Sequence, residues 1–104
     1  MKRKPSGGAP PPPATAAKRA VILSDRFGED LLFWSRSDPR RLTRIVELIE
    51  SIRRDPMRGI GKPELLKHDM AGCWSRRIDE EHRLVYQILP TQINLVTARY
   101  HYSK

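Results

Sequence analysis

The chain has 104 residues, enough for one small domain, and carries 20 basic against 12 acidic residues, a net charge of +8. No apolar run approaches the roughly 18 residues of a membrane helix. One cysteine, Cys73, excludes an internal disulfide and makes a reducing compartment the expectation. The basic N-terminus runs into prolines where a signal peptide would be hydrophobic, so the expected location is cytoplasmic. Five of the eight net positive charges fall in residues 1–20, leaving +3 for the rest. Any nucleic-acid reading must therefore rest on a local arginine cluster, not on the isoelectric point.

Residues 1–20 hold five of the nine prolines, Gly7-Gly8 and scattered Ala and Lys. They read as a disordered basic arm with too little apolar surface to offset ordering. Residues 21–104 form the expected single domain. Val21-Ile22-Leu23 reads as a strand, and Ser24 as the cap of a helix with Asp25 in its first turn. Phe27, Leu31 and Trp34 share one helical face, and the helix ends near Ser35–Ser37. Asp38-Pro39 starts a second helix, with Leu42, Ile45, Val46, Ile49 and Ile52 as its apolar stripe, and Asp55-Pro56 stops it. Glu50 is placed to meet Arg53 and Arg54 across a turn.

Residues 57–73 are longer than an ordinary connection, and a short helical or 3-10 turn is expected around Glu64–His68. Three strands follow, at about 74–79, 82–89 and 93–101, joined by turns short enough for antiparallel hairpins. Alternation places Trp74, Ile78, Leu84, Tyr86, Ile88, Val96, Ala98 and Tyr100 on one face. The other face receives Ser75, Arg77, Arg83, Val85, Gln87, Leu95, Thr97, Arg99 and His101. The first is the surface for the helices, giving an α+β fold of two N-terminal helices on a small antiparallel sheet. The second gathers cations that repel unless they serve an anion or meet carboxylates.

That polar face suits metal-free cleavage of a phosphodiester. Such chemistry needs a base for the 2′-OH, a cation for the crowded phosphorus and an acid for the leaving 5′-oxygen. Glu64 is the candidate base, His101 the titrating group near neutrality, and Arg83 and Arg77 the two-pronged phosphate holders. Lys67, three residues past Glu64, is placed to lend charge on the same side. Tyr100, Tyr102 and Trp74 are stacking candidates. Ordinary roles stand beside these: Glu64 pairing with Arg77, Arg83 with Glu80 or Glu81, Tyr86 and Tyr100 in the core, Cys73 merely buried. His68 and His82 lack the further spaced ligands that zinc requires. On residues alone, cleavage, nucleic-acid binding and protein interaction all remain open.

Lys62–Lys67, Trp74-Ser75-Arg76-Arg77-Ile78, Glu80-Glu81-His82-Arg83-Leu84-Val85-Tyr86 and Ala98-Arg99-Tyr100-His101-Tyr102 resemble the YoeB (Txe) toxins of bacterial toxin–antitoxin pairs, within the RelE superfamily. The resemblance covers about residues 21–102. It implies a microbial-RNase-type fold and a ribosome-dependent endoribonuclease that cuts mRNA in the A site, with no metal or cofactor. Carried over by motif, Glu64 is the general base, His101 the general acid and Arg83 the phosphate-stabilising arginine. Lys67, Arg77, Tyr102 and Arg99 fall at positions for substrate contact. The implied partners are a YefM/Phd-like antitoxin, the ribosome and mRNA, a second protomer in a homodimer, and operator DNA through the antitoxin complex, with no membrane. Three features depart from the pattern: the arm at residues 1–20, Ser103-Lys104 beyond the His-Tyr pair, and Gly28 where the family tends to place Trp.

Overall fold

The computed structural model describes residues 19–99. β1 spans Ala20–Leu23 and is stopped by Ser24, whose hydroxyl accepts the Phe27 N–H at 3.0 Å and so caps α1, Asp25–Ser37. Asp38 ends α1 by donating its N–H to the Trp34 carbonyl, and starts α2, Pro39–Arg54, by accepting from Arg40 N–H. Pro39 occupies the first turn of α2, where an N–H would be unused. Both helices thus run as their punctuation predicts.

Past α2 come β2, Glu64–Leu65, a 3-10 turn at His68–Met70, β3, Cys73–Arg77, β4, Arg83–Ile88, and β5, Gln92–Thr97. The turn expected over Glu64–His68 is instead an edge strand followed by a tighter turn. The Glu64–Leu65 backbone pairs antiparallel with Ser75 and Trp74. The sheet order is β1-β5-β4-β3-β2. β3 to β5 are antiparallel as expected and β2 adds to their edge, but β1 joins β5 in parallel, Val21 opposite Ile93 and Leu23 opposite Leu95, so the five-stranded sheet is mixed.

The two helices cover one face of the sheet. Phe27, Trp34, Ile45, Leu48 and Ile52 pack on Ile78, Leu84, Tyr86, Ile93, Leu95 and Ala98. Leu42, Ile45, Ile49 and Ile52 keep their places on the core side of α2, whereas Val46 is about half exposed and Leu48 is buried in its stead. Leu95, expected on the polar face, is buried under the helices. The cause is a bulge: Tyr86 opposes Leu95 but Val85 opposes Thr97, leaving Val96 as the extra residue. The bulge restores Ala98 to the helix side and Thr97 to the other. Among the described residues, no helix is long and apolar enough to cross a membrane.

Candidate active site

The face of the sheet away from the helices has a floor of Ser75, Val85 and Thr97, all buried. Arg77 and Arg83 stand directly opposite each other in the β3–β4 ladder. Like charges at that separation destabilise a sheet unless something answers them. Glu64 does so in part: from β2 its carboxylate reaches over Ser75 to Arg83, with Arg83 Nη1 donating to Oε1 at 3.3 Å. The Glu64 side chain is 55 % exposed and that of Arg83 21 %, so the carboxylate sits at the rim and the guanidinium lies lower.

One carboxylate between two guanidiniums leaves excess positive charge. It also leaves donors unused: among the described residues, Arg77 Nε, Arg83 Nε and Ser75 Oγ are buried and have no hydrogen-bond partner. Buried donors without partners are uncommon and costly. Here three lie on one sheet face. Arg83 meets Glu64 through Nη1, which leaves its Nε without a partner among the described residues.

The sequence-predicted residues fare differently. Glu64, Arg77 and Arg83 come together; Glu64 pairs with Arg83 and not with Arg77, and Arg83 takes Glu64 in place of Glu80 or Glu81. Lys67 is exposed beyond β2 with extended backbone, φ −125° and ψ 176°. In extended chain, residues three apart alternate sides, so the same-side placement expected from a helical turn does not follow. Arg99 sets its guanidinium carbon 3.7 Å from the Phe33 ring centroid, against α1. His101 and Tyr102, with Tyr100, lie outside the described residues. Tyr86 is wholly buried and donates its hydroxyl to the Pro56 carbonyl at 2.6 Å, and Trp74 packs on the core from the helix side. Neither of these two rings faces Glu64. Burial pushes the Cys73 thiol upward, away from nucleophilic use. Among the described residues, no group of three or more His, Cys, Asp or Glu side chains is arranged to hold a metal ion.

Two supports of the site escape a reading by motif. On α1, Asp30 and Trp34, one turn apart, hold both polar groups of Ala98: Asp30 Oδ2 accepts its N–H and Trp34 Nε1 donates to its carbonyl, each at 2.8 Å. They thereby fix the chain just before the segment that carries His101. An aspartate on the buried stripe of α1 is the sequence signal. The other support is Arg76, which shares the apolar face with Trp74 and Ile78 by simple alternation. It is fully buried.

With this geometry in view, relatives supply the class. Residues 23–102 match the family described as YoeB-like toxin of bacterial type II toxin-antitoxin system. The chain is 53 % identical over 84 residues to the Toxin YoeB of Mycobacterium bovis, covering 81 % of this chain and 99 % of that one. A YoeB dimer from Staphylococcus aureus superposes with a TM-score of 0.75 at 39 % identity, covering 83 % of this chain and all of the other. The heterotetrameric YoeB–YefM toxin–antitoxin complex of the same organism matches with a TM-score of 0.72 at 39 % identity and the same coverage. The chain belongs to the YoeB-like toxin family.

Proposed function

We propose that this toxin is a ribosome-dependent endoribonuclease that cleaves mRNA in the A site by metal-independent acid–base catalysis. The observation that carries the reading is the Glu64–Arg83 pair beside Arg77, with the Nε donors of both arginines unpartnered among the described residues. A phosphodiester is an anion of the right kind for those donors, and Arg83 can accept it without releasing Glu64. Glu64 takes the proton from the 2′-OH as that oxygen attacks the adjacent phosphorus. Arg83 holds the phosphate oxygens as charge accumulates, and Arg77 adds a second cation from the opposite strand. His101 gives its proton to the departing 5′-oxygen. The products are a 2′,3′-cyclic phosphate and a 5′-hydroxyl end, and no water enters that step.

Lys67, Arg77, Arg99 and Tyr102 are the proposed substrate contacts. The ribosome's part is to hold the mRNA backbone bent for in-line attack, which a small domain with one carboxylate and one proton-donating histidine does not supply alone. By analogy with the Staphylococcus aureus complex, a YefM-like antitoxin neutralises the toxin, and the YoeB dimer suggests a second protomer as a further partner. Operator DNA is reached through the antitoxin complex. The basic arm expected over residues 1–20 is given no catalytic role, and its last residue, Ala20, belongs to β1.

The test is primer-extension mapping of mRNA on translating ribosomes. The wild-type chain is expected to produce cuts, and a Glu64→Ala/His101→Ala variant to lose nearly all of them. Unchanged mRNA under conditions where a known relative cuts overturns the reading in favour of an antitoxin-binding module without activity. Equal cleavage of naked RNA removes the ribosome from it.

A further inference from the structure

Arg76 has no acidic partner among the described residues, yet every donor of its guanidinium is used. Nε donates to Tyr86 Oη at 3.1 Å. Nη1 donates to Ser51 Oγ at 2.7 Å and to the Ile60 carbonyl at 3.2 Å. Nη2 donates to the carbonyls of Asp55 at 2.7 Å and Arg58 at 3.0 Å. Five N–H groups meet five neutral acceptors, the full capacity of an arginine. Three of those acceptors are backbone carbonyls of the loop that follows α2, and the Tyr86 hydroxyl holds a fourth, that of Pro56.

The loop is folded onto this group as closely as glycine allows. A Cβ on Gly59, at φ +132°, would lie 2.3 Å from Ser51 Oγ and 2.8 Å from Arg76 Nη1; one on Gly61, at φ +86°, would lie 2.7 Å from Leu48 Cδ2. From there the chain to the site is short and stiff. The Gly61 carbonyl accepts the Arg77 N–H at 2.6 Å, Lys62 adopts φ +54°, Pro63 has its φ set by its ring, and Glu64 follows in β2.

We propose that Arg76 is a positioning residue for Glu64: from beneath the sheet it holds the 55–61 loop, and through it sets where the carboxylate stands relative to Arg77 and Arg83 above. The inference rests on the nuclease reading for its effect on catalysis. A residue with a purely structural role would lower the melting temperature and leave the turnover of folded molecules alone. A positioning residue lowers turnover in molecules that remain folded.

The experiment compares the full chain with Arg76→Lys, Arg76→Met and Gly59→Ala, the last crowding Ser51 and Arg76 from the loop side while keeping the buried guanidinium in the chain. Amide hydrogen exchange is read over residues 60–66 and over β4–β5, and mRNA cleavage is measured on translating ribosomes. In the variants, exchange at 60–66 is expected to rise while β4–β5 stays protected. Displacement of Glu64 by about 1 Å is expected to cut kcat by up to about 100-fold with KM within about twofold. Arg76→Lys, which keeps a charge and three donors, should retain more turnover than Arg76→Met. If both Arg76 variants fail to fold, Gly59→Ala alone decides. Unchanged exchange at 60–66, or a loosened loop with unchanged kcat, overturns the proposal. Should the wild-type chain leave mRNA intact, the nuclease reading falls, and the exchange data still decide whether Arg76 holds the Glu64 segment.

Discussion

Arg76 and Arg77 are consecutive residues of one strand with opposite fates. Arg76 points toward the helices, is fully buried and has all five donors matched. Arg77 points the other way, faces Arg83 across the ladder and keeps a buried Nε without a partner among the described residues. Identical side chains, one Cα apart, serve opposite ends. Under the helices the polar groups of Asp30, Trp34, Ser51, Arg76 and Tyr86 have been answered, as low dielectric demands. The far face is left electrostatically unfinished, with two guanidiniums against one carboxylate. A protein that tolerates such a deficit next to a satisfied arginine has the means to satisfy both. The contrast is what singles out the far face as a place for an anionic guest.

The largest expected effects come from the same contrast one strand over, at Leu84 and Arg83. Leu84 is fully buried beneath the helices. Leu84→Ala should cost about 2–5 kcal/mol of unfolding free energy, measured by urea denaturation, since the cavity closes only in part. Arg83→Gln should leave stability within about 0.5 kcal/mol. Its mRNA cleavage, assayed on ribosomes, should fall by about 100-fold or more, the usual scale for losing a group that meets transition-state charge. A large stability loss in Arg83→Gln would erase the distinction between the two faces.

Much of this contrast was legible in the sequence. Alternation through Trp74–Ile78 and Arg83–Ile88 sorts side chains correctly, because period-two geometry holds wherever the ladder is regular. It failed at Leu95, where a bulge at Val96 changes the count, and a bulge depends on its partner strand. The helical or 3-10 turn expected around Glu64–His68 begins only at His68, because two residues of edge strand carry almost no propensity signal; pairing with β3 makes Glu64 and Leu65 a strand. Parallel pairing of β1 with β5 is likewise a long-range outcome. Glu64, Arg77 and Arg83 were readable as a group because their motifs are long. The bracket of Asp30 and Trp34 around Ala98 was not, since it joins residues 68 and 64 apart in sequence.

A smaller effect concerns the turn that delivers Arg83. Asp79 Oδ1 accepts the N–H groups of Glu81 and His82 at 2.8 and 2.6 Å, and its Oδ2 meets Arg41, which also meets Asp38. Partial burial pushes the Asp79 carboxyl upward, but the His82 N–H, Arg41 and the Glu81 N–H outweigh it and hold the group below its ordinary range. A carboxyl lowered by folding contributes stability above its unfolded value, about 3.9, and loses it as pH falls through the folded one. Thermal melting should therefore decline below about pH 4. Asp79→Asn, which keeps the Oδ1 acceptor, should flatten that acid limb and cost about 1 kcal/mol at neutral pH, the scale of a partly screened charged hydrogen bond. An unchanged acid limb would mean that the hairpin does not depend on this charge.

The smallest expected effect is the most diagnostic of how the two faces differ. Glu64 and Arg83 form an ion pair whose carboxylate is more than half exposed. Exposed pairs typically couple by about 0.2–1 kcal/mol, and salt screens them. A double-mutant cycle on unfolding free energy with Glu64→Gln and Arg83→Gln should return a coupling in that range that shrinks in 1 M salt. In cleavage the same two substitutions should each be severe and combine to less than the product of their separate effects, as groups acting on one reacting phosphate do. A coupling in stability above about 2 kcal/mol would make the pair a structural clasp like Arg76 and its carbonyls. A small one leaves catalysis as the reason a carboxylate and a half-satisfied arginine are held together at the rim.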